Sequence, residues 1–61
     1  MKIEIYVDNK LYAARKMPLV PRQGDLIQLG IDLYKIEMVV WCEPDNGEQV
    51  NLFTTKYKTK T

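Results

Sequence analysis

The chain has no histidine, no serine and a single cysteine, Cys42. Without these side chains the usual catalytic pairs are missing, because a serine or cysteine nucleophile needs a neighbouring base and imidazole is the group that titrates nearest neutral pH. An internal disulfide is excluded, and so is an ordinary thiolate and imidazole metal cage. The longest apolar run, Met38 to Cys42, falls far short of the ~20 residues a membrane-spanning helix requires. Met1-Lys2-Ile3-Glu4-Ile5 alternates and carries an acid, where a secretory leader shows an unbroken apolar stretch after its basic start. The expectation is a cytoplasmic protein with no cofactor, no metal and no membrane contact, and the lone thiol fits a reducing compartment.

What is present is compact. The 61 residues hold one domain, 1–61, and a chain of this size buries only about 60% of the surface its unfolded form exposes. A core this small rarely supplies more than ~3 to 5 kcal/mol without a disulfide, a metal or a partner chain. Two of those supports are absent, so self-association is the one left. The 46% hydrophobic content argues for a folded globule, since disordered chains are poor in apolar residues and strongly charged.

Residues 2–7 alternate, with Ile3, Ile5 and Val7 on one side, the period-2 signature of a half-buried strand. Asp8-Asn9-Lys10 closes it as a turn. Leu11 to Val20 continues as a second strand with Leu11, Ala13 and Met17 on one face. Pro18 and Pro21 lack a ladder donor, which makes this an edge strand ending near Pro18. Pro21-Arg22-Gln23-Gly24 forms a reverse turn, Asp25 to Leu29 a short strand, and Gly30-Ile31-Asp32 a second tight connection. Leu33 to Cys42 is the longest alternating run, placing Tyr34, Ile36, Met38, Val40 and Cys42 on one face. Lys35 and Glu37 mark the wet side. Glu43-Pro44-Asp45-Asn46-Gly47 is the strongest hairpin signal, and a last strand spans about Glu48 to Tyr57. No segment shows helical period.

Five short strands with a long, bent fourth one predict an all-β fold, a small five-stranded antiparallel barrel whose closure removes most open sheet edges. The Pro21-x-x-Gly24-Asp25-x-Ile27-x-Leu29 and Tyr34-x-Ile36-x-x-Val39-x-Trp41 runs resemble small SH3-like β-barrels, including short bacterial and phage proteins. Residues 18–42 carry that resemblance. Its motifs are turn and core chemistry, so it implies a fold and no active site. The Lys-Gly-Phe-Gly-Phe motif of cold-shock proteins is absent. The type II dihydrofolate reductase resembles the chain in fold class, but its Val-Gln-Ile-Tyr pore segment is absent too. An oligomeric enzyme with a shared site is therefore only a remote alternative.

Cys42 on the apolar face of the long strand reads as a small buried hydrophobe, with no basic neighbour in sequence to activate it. Asp25, Asp32, Asp45 and Glu48 fall in or beside turns, where such side chains cap backbone. Binding is better supported than catalysis. Val39 and Trp41 break the pattern of the long strand by pointing away from its core face, and Phe53 joins them if the hairpin loop has an odd number of residues. An even loop places Phe53 on the other side. Val39, Trp41 and Phe53 are thus the candidate protein interface, for a second copy or another protein, since apolar patches mark interfaces and Trp is a frequent anchor.

Nucleic acid is the alternative partner. Charge is uneven despite a net value of +1: residues 10–22 carry +4, residues 23–48 carry −5, and Lys56, Lys58 and Lys60 make the 56–61 tail basic. If the second strand and the tail adjoin, Arg15, Lys16, Arg22, Lys56, Lys58 and Lys60 form one phosphate-gripping face, with Tyr12 or Tyr57 stacking on bases. The pI near 7.8 weighs against this, because nucleic-acid-binding domains typically exceed about 9.

Overall fold

A computed structural model describes residues 1–42 and 48–58, so the Glu43–Gly47 hairpin signal and Lys60 lie outside the described residues. The elements are β1 (Lys2–Val7), β2 (Lys10–Lys16), β3 (Leu26–Leu29), β4 (Asp32–Cys42) and β5 (Gln49–Lys56), and the fold is all-β.

Local chemistry explains each turn. Asp8 and Asn9 both take positive φ, 50° and 66°, the two-residue hairpin geometry that matches strand twist and that Asp and Asn tolerate best after glycine. Gly30, at φ 66°, starts the two-residue link that pairs Leu29 with Asp32. The reverse turn before β3 sits one residue later than the sequence implied. Asp25 N–H donates to the Arg22 carbonyl at 3.0 Å and the Arg22 N–H donates to the Asp25 carboxylate at 2.9 Å. Gly24, at φ 92°, supplies the left-handed residue there.

The strand order is β2-β1-β5-β4-β3. β1 lies parallel to β5, in the register Ile3↔Val50 and Ile5↔Leu52, while the other pairs are antiparallel. The all-antiparallel expectation is therefore corrected. Adjacent antiparallel strands can be joined by short turns, but a parallel pair needs the rest of the chain as its connection, and here β2, β3 and β4 supply it. The central pair carries the core: Ile3, Ile5, Val50 and Leu52 are buried with Ile36. Met17, Val20, Ile27, Leu29 and Val39 pack around them. Thr54 is the buried polar side chain, and its hydroxyl donates to the Tyr6 carbonyl at 2.8 Å.

Two β-bulges overturn the simple alternation. In β2, Ile5 faces Ala13 but Tyr6 faces Leu11, so Tyr12 is the extra residue. In β4, Ile36 faces Thr54 but Met38 faces Phe53, so Glu37 is the extra residue. An extra residue shifts every later side chain to the other face. Met38, Val40 and Cys42 thus leave the core side on which Tyr34 and Ile36 sit, and Val39 and Trp41 move onto it. Leu11 likewise parts from Ala13. Cys42 is half-buried on the outer face, opposite Gln49.

The sheet curls into a half-barrel, far enough that the Tyr12 and Tyr34 rings approach to 5.7 Å across its concave side. It does not close. No Cα of β2 comes within 8 Å of a Cα of β3, so among the described residues both outer strands keep an unpaired edge, contrary to the closed barrel expected from sequence. β2 is an edge strand, as its prolines implied, although it ends at Lys16.

Ile36, fully buried in the core cluster, gives the sharpest stability test. Ile36→Ala should cost ~2 to 5 kcal/mol and leave much of the protein unfolded at 25 °C. Leu19→Ala, at a side chain 79% exposed, should change stability by less than about 0.5 kcal/mol. Urea melts followed by Trp fluorescence measure both.

Candidate binding interface

Trp41 faces Val50 on the concave side of the sheet, yet it is 62% exposed. It stands near the end of β4, past the residues Asp32–Lys35 that pair with β3. With Val39, and with Met38 at the edge of β4 that β3 does not cover, it forms one wall of a shallow cavity of ≈ 420 Å³, and Val20, Pro21, Arg22 and Gln23 of the β2–β3 connection form the other. Val39 is half-buried and packs on the core, so it anchors the wall that Trp41 presents.

The structure brings Val39 and Trp41 together and separates Phe53 from them. Phe53 pairs with Met38 on the convex face and stacks on Tyr6, with ring centroids 4.9 Å apart and an interplanar angle of 18°. The register aligns Leu11, Tyr6, Phe53 and Met38 as one apolar row across four strands, with Leu11 57% and Met38 49% exposed. Both bulges fall at this row and turn Leu11 and Met38 outward. Beside the row lies a polar cluster: the Gln49 amide donates to the Glu4 carboxylate at 2.8 Å and to the Asn51 side-chain oxygen at 2.9 Å. Sequence reading missed Leu11 and Met38 as surface residues, because neither Tyr12 nor Glu37 is marked as an inserted residue by its chemistry.

The basic residues divide between the two ends of the sheet. Lys16 lies opposite Lys2, and Arg15 opposite Ile3, at the end where β5 begins. Lys56 lies at the far end, opposite Tyr34, with its ammonium 3.5 Å from the Asp32 carboxylate. Arg22 belongs to the Trp41 cavity. Tyr12 leans on Tyr34. Tyr57 is exposed, and its main-chain N–H donates to the Leu33 carbonyl at 2.8 Å. Arg15 and Lys16 therefore lie at the opposite end of the sheet from Lys56 and do not form one face with it.

Among the described residues no group of three or more His, Cys, Asp or Glu is placed to hold a metal ion, and no helix is long and apolar enough to cross a membrane. No protein-family model, curated protein or solved structure matches the chain.

Two phenols are perturbed. Burial pushes Tyr34 above the ordinary 10.0, and the neighbouring Tyr12 phenol adds to this. Tyr6 is raised by desolvation first and then by the Glu4 carboxylate, which accepts its hydroxyl at 3.2 Å. Both groups hold their protons to higher pH when folded. As pH rises through 10, the unfolded chain ionises first and binds fewer protons, so stability present at neutral pH declines. Urea midpoints should fall progressively above pH 10, and Tyr34→Phe should flatten that decline. An equal slope in wild type and variant would contradict the assignment.

Proposed function

We propose that the protein is a non-enzymatic binding module whose contact surface is the Trp41–Val39 cavity, engaging a second copy or another protein. The observation that carries this reading is a tryptophan 62% exposed over a cavity walled by Val20, Pro21 and Val39. Aromatic side chains in such apolar surrounds are the usual energetic anchors of interfaces, and a chain this short gains most from covering the surface it cannot bury alone. Phe53, on the convex row with Tyr6, forms a second apolar face rather than an extension of the first. The absence of histidine and serine supports binding without catalysis. The resemblance of residues 18–42 to small SH3-like barrels belongs to this reading, as does a cytoplasmic accessory role of the kind found in phage and mobile elements. The parallel β1–β5 pair departs from an all-antiparallel barrel.

Nucleic-acid binding is kept as a second reading on one observation, the cross-strand Lys2–Lys16 pair beside Arg15. Like charges directly opposite each other destabilise a sheet; Glu4, 3.8 Å from the Lys2 ammonium, offsets part of this, and an anion at Lys16 would relieve more. The cluster is small, and Arg22 and Lys56 would contribute only through a ligand that wraps around the molecule.

Sedimentation equilibrium tests the first reading. Wild type should self-associate at micromolar to millimolar concentration, and Trp41→Ala should weaken association by ~2 kcal/mol or more with little change in melting temperature. A monomer at every concentration, unchanged by the substitution, would remove the second copy as the partner. For the second reading, single-stranded DNA affinity should fall steeply between about 50 and 200 mM salt. No gel shift at low salt would end it.

A further inference from the structure

A second opening lies on the other side of the half-barrel, between the two strands that fail to meet. It is a cavity of ≈ 230 Å³ whose lining includes Arg15, Lys16 and Met17 from the β2 side and Ile27, Gln28 and Leu29 from β3, with Ile5 and Leu52 as its floor. The floor is apolar and belongs to the core. The rim is cationic, and no acidic side chain lines the cavity.

Its walls are unpaired sheet edges. The Asp25 carbonyl accepts from the Ile36 N–H at 2.9 Å, so Asp25 turns its carbonyl toward β4. By the alternation of an antiparallel ladder, Ile27 and Leu29 face β4 in turn, while Leu26 and Gln28 aim their N–H and C=O groups at the open edge. β2 and β3 are separated by more than 8 Å at Cα. One extended strand inserted between two others needs roughly 9.6 Å between its neighbours, twice the ~4.8 Å strand spacing. Tracing directions through the sheet, β2 and β3 run oppositely, so a single inserted strand would pair parallel to one and antiparallel to the other.

We propose that the gap between β2 and β3 is a docking site for one extended peptide strand of a partner protein, with apolar side chains at every second position and acidic side chains among the others. The apolar residues descend onto Ile5, Leu52 and Ile27. The acidic ones, on the opposite face, meet Lys16, while Arg15, in register with Ile3, keeps the inner rim cationic. Main-chain bonds to both edges give affinity, and the alternating pockets give specificity, as in strand addition generally. The strand completes the barrel that the chain alone leaves open, which removes two edges at once. A second copy offering its own β2 is disfavoured by charge, since Lys10, Arg15 and Lys16 would confront a rim of the same sign. The proposal rests on the binding-module reading but not on the Trp41 cavity.

The probe is a synthetic capped peptide alternating valine with threonine and glutamate, followed by calorimetry and by amide exchange of the whole chain. On adding it, the Leu26 and Gln28 amides should slow by roughly tenfold or more as they enter a ladder, with slowing on β2 as well. The same peptide N-methylated at alternate amides should not bind, and a version with lysine for glutamate should bind more weakly. Gln28→Pro, which removes an edge donor at a position where proline is tolerated, should abolish binding, whereas Trp41→Ala should leave it intact. The proposal is overturned if the peptide does not bind, if Leu26 and Gln28 do not slow, if the N-methylated or lysine peptide binds as well, or if those amides are already protected by a concentration-dependent dimer. Loss of binding in Trp41→Ala would move the contact to the other cavity and would also overturn it.

Discussion

The structure depends on the parallel pairing of β1 with β5. That pair places Ile3 and Ile5 beside Val50 and Leu52, four of the five side chains that form the buried cluster. It joins one end of the chain to the other, so the entropic cost of a long closed loop must be met before its contacts form. Everything else is attached to it: β2 is its hairpin partner on one side, and β4, followed by β3, extends it on the other. Because the order starts at β2 and ends at β3, the pair also determines which edges remain open.

The two bulges then decide what each face displays. Tyr12 and Glu37 lie at the level of the same cross-strand row, and each reverses the alternation of its strand. The concave face gains Val39 and Trp41 while the convex face gains Leu11 and Met38. Without them, Met38, Val40 and Cys42 would continue the core side begun by Tyr34 and Ile36. Apolar side chains on both faces are thus a consequence of register, and they leave a small protein with more apolar surface than its core can use.

Much of this was legible in the residues. The turns at Asp8-Asn9, Gly24 and Gly30 carry their own backbone chemistry, and the prolines after β2 mark it as an edge. Strand existence follows from alternation in residues 2–7 and 33–42. The parallel pairing was not legible, because Ile3-Glu4-Ile5 and Val50-Asn51-Leu52 alternate identically whichever way they pair. The bulges were hidden too. Glu37 reads as an ordinary outward charge, and the unbroken apolar run Met38–Cys42 has no alternation to show which side is which. As a result Val39 and Trp41 were recognised as a pair set apart from Met38 and Val40, but their face was inverted and Phe53 was grouped with them. Arg15 and Lys16 lie at the opposite end of the sheet from Lys56, a separation that charge counting along a chain cannot see.

A nuclear Overhauser spectrum of the free protein distinguishes an incompletely closed sheet, with apolar groups at both openings, from a closed barrel. It should show Ile5–Leu52 contacts in a parallel pattern, Phe53 ring contacts to Tyr6, Trp41 ring contacts to the Val20–Arg22 segment, and none between Trp41 and Phe53. An antiparallel β1–β5 pattern, or Trp41 and Phe53 in contact on one face, would contradict this arrangement.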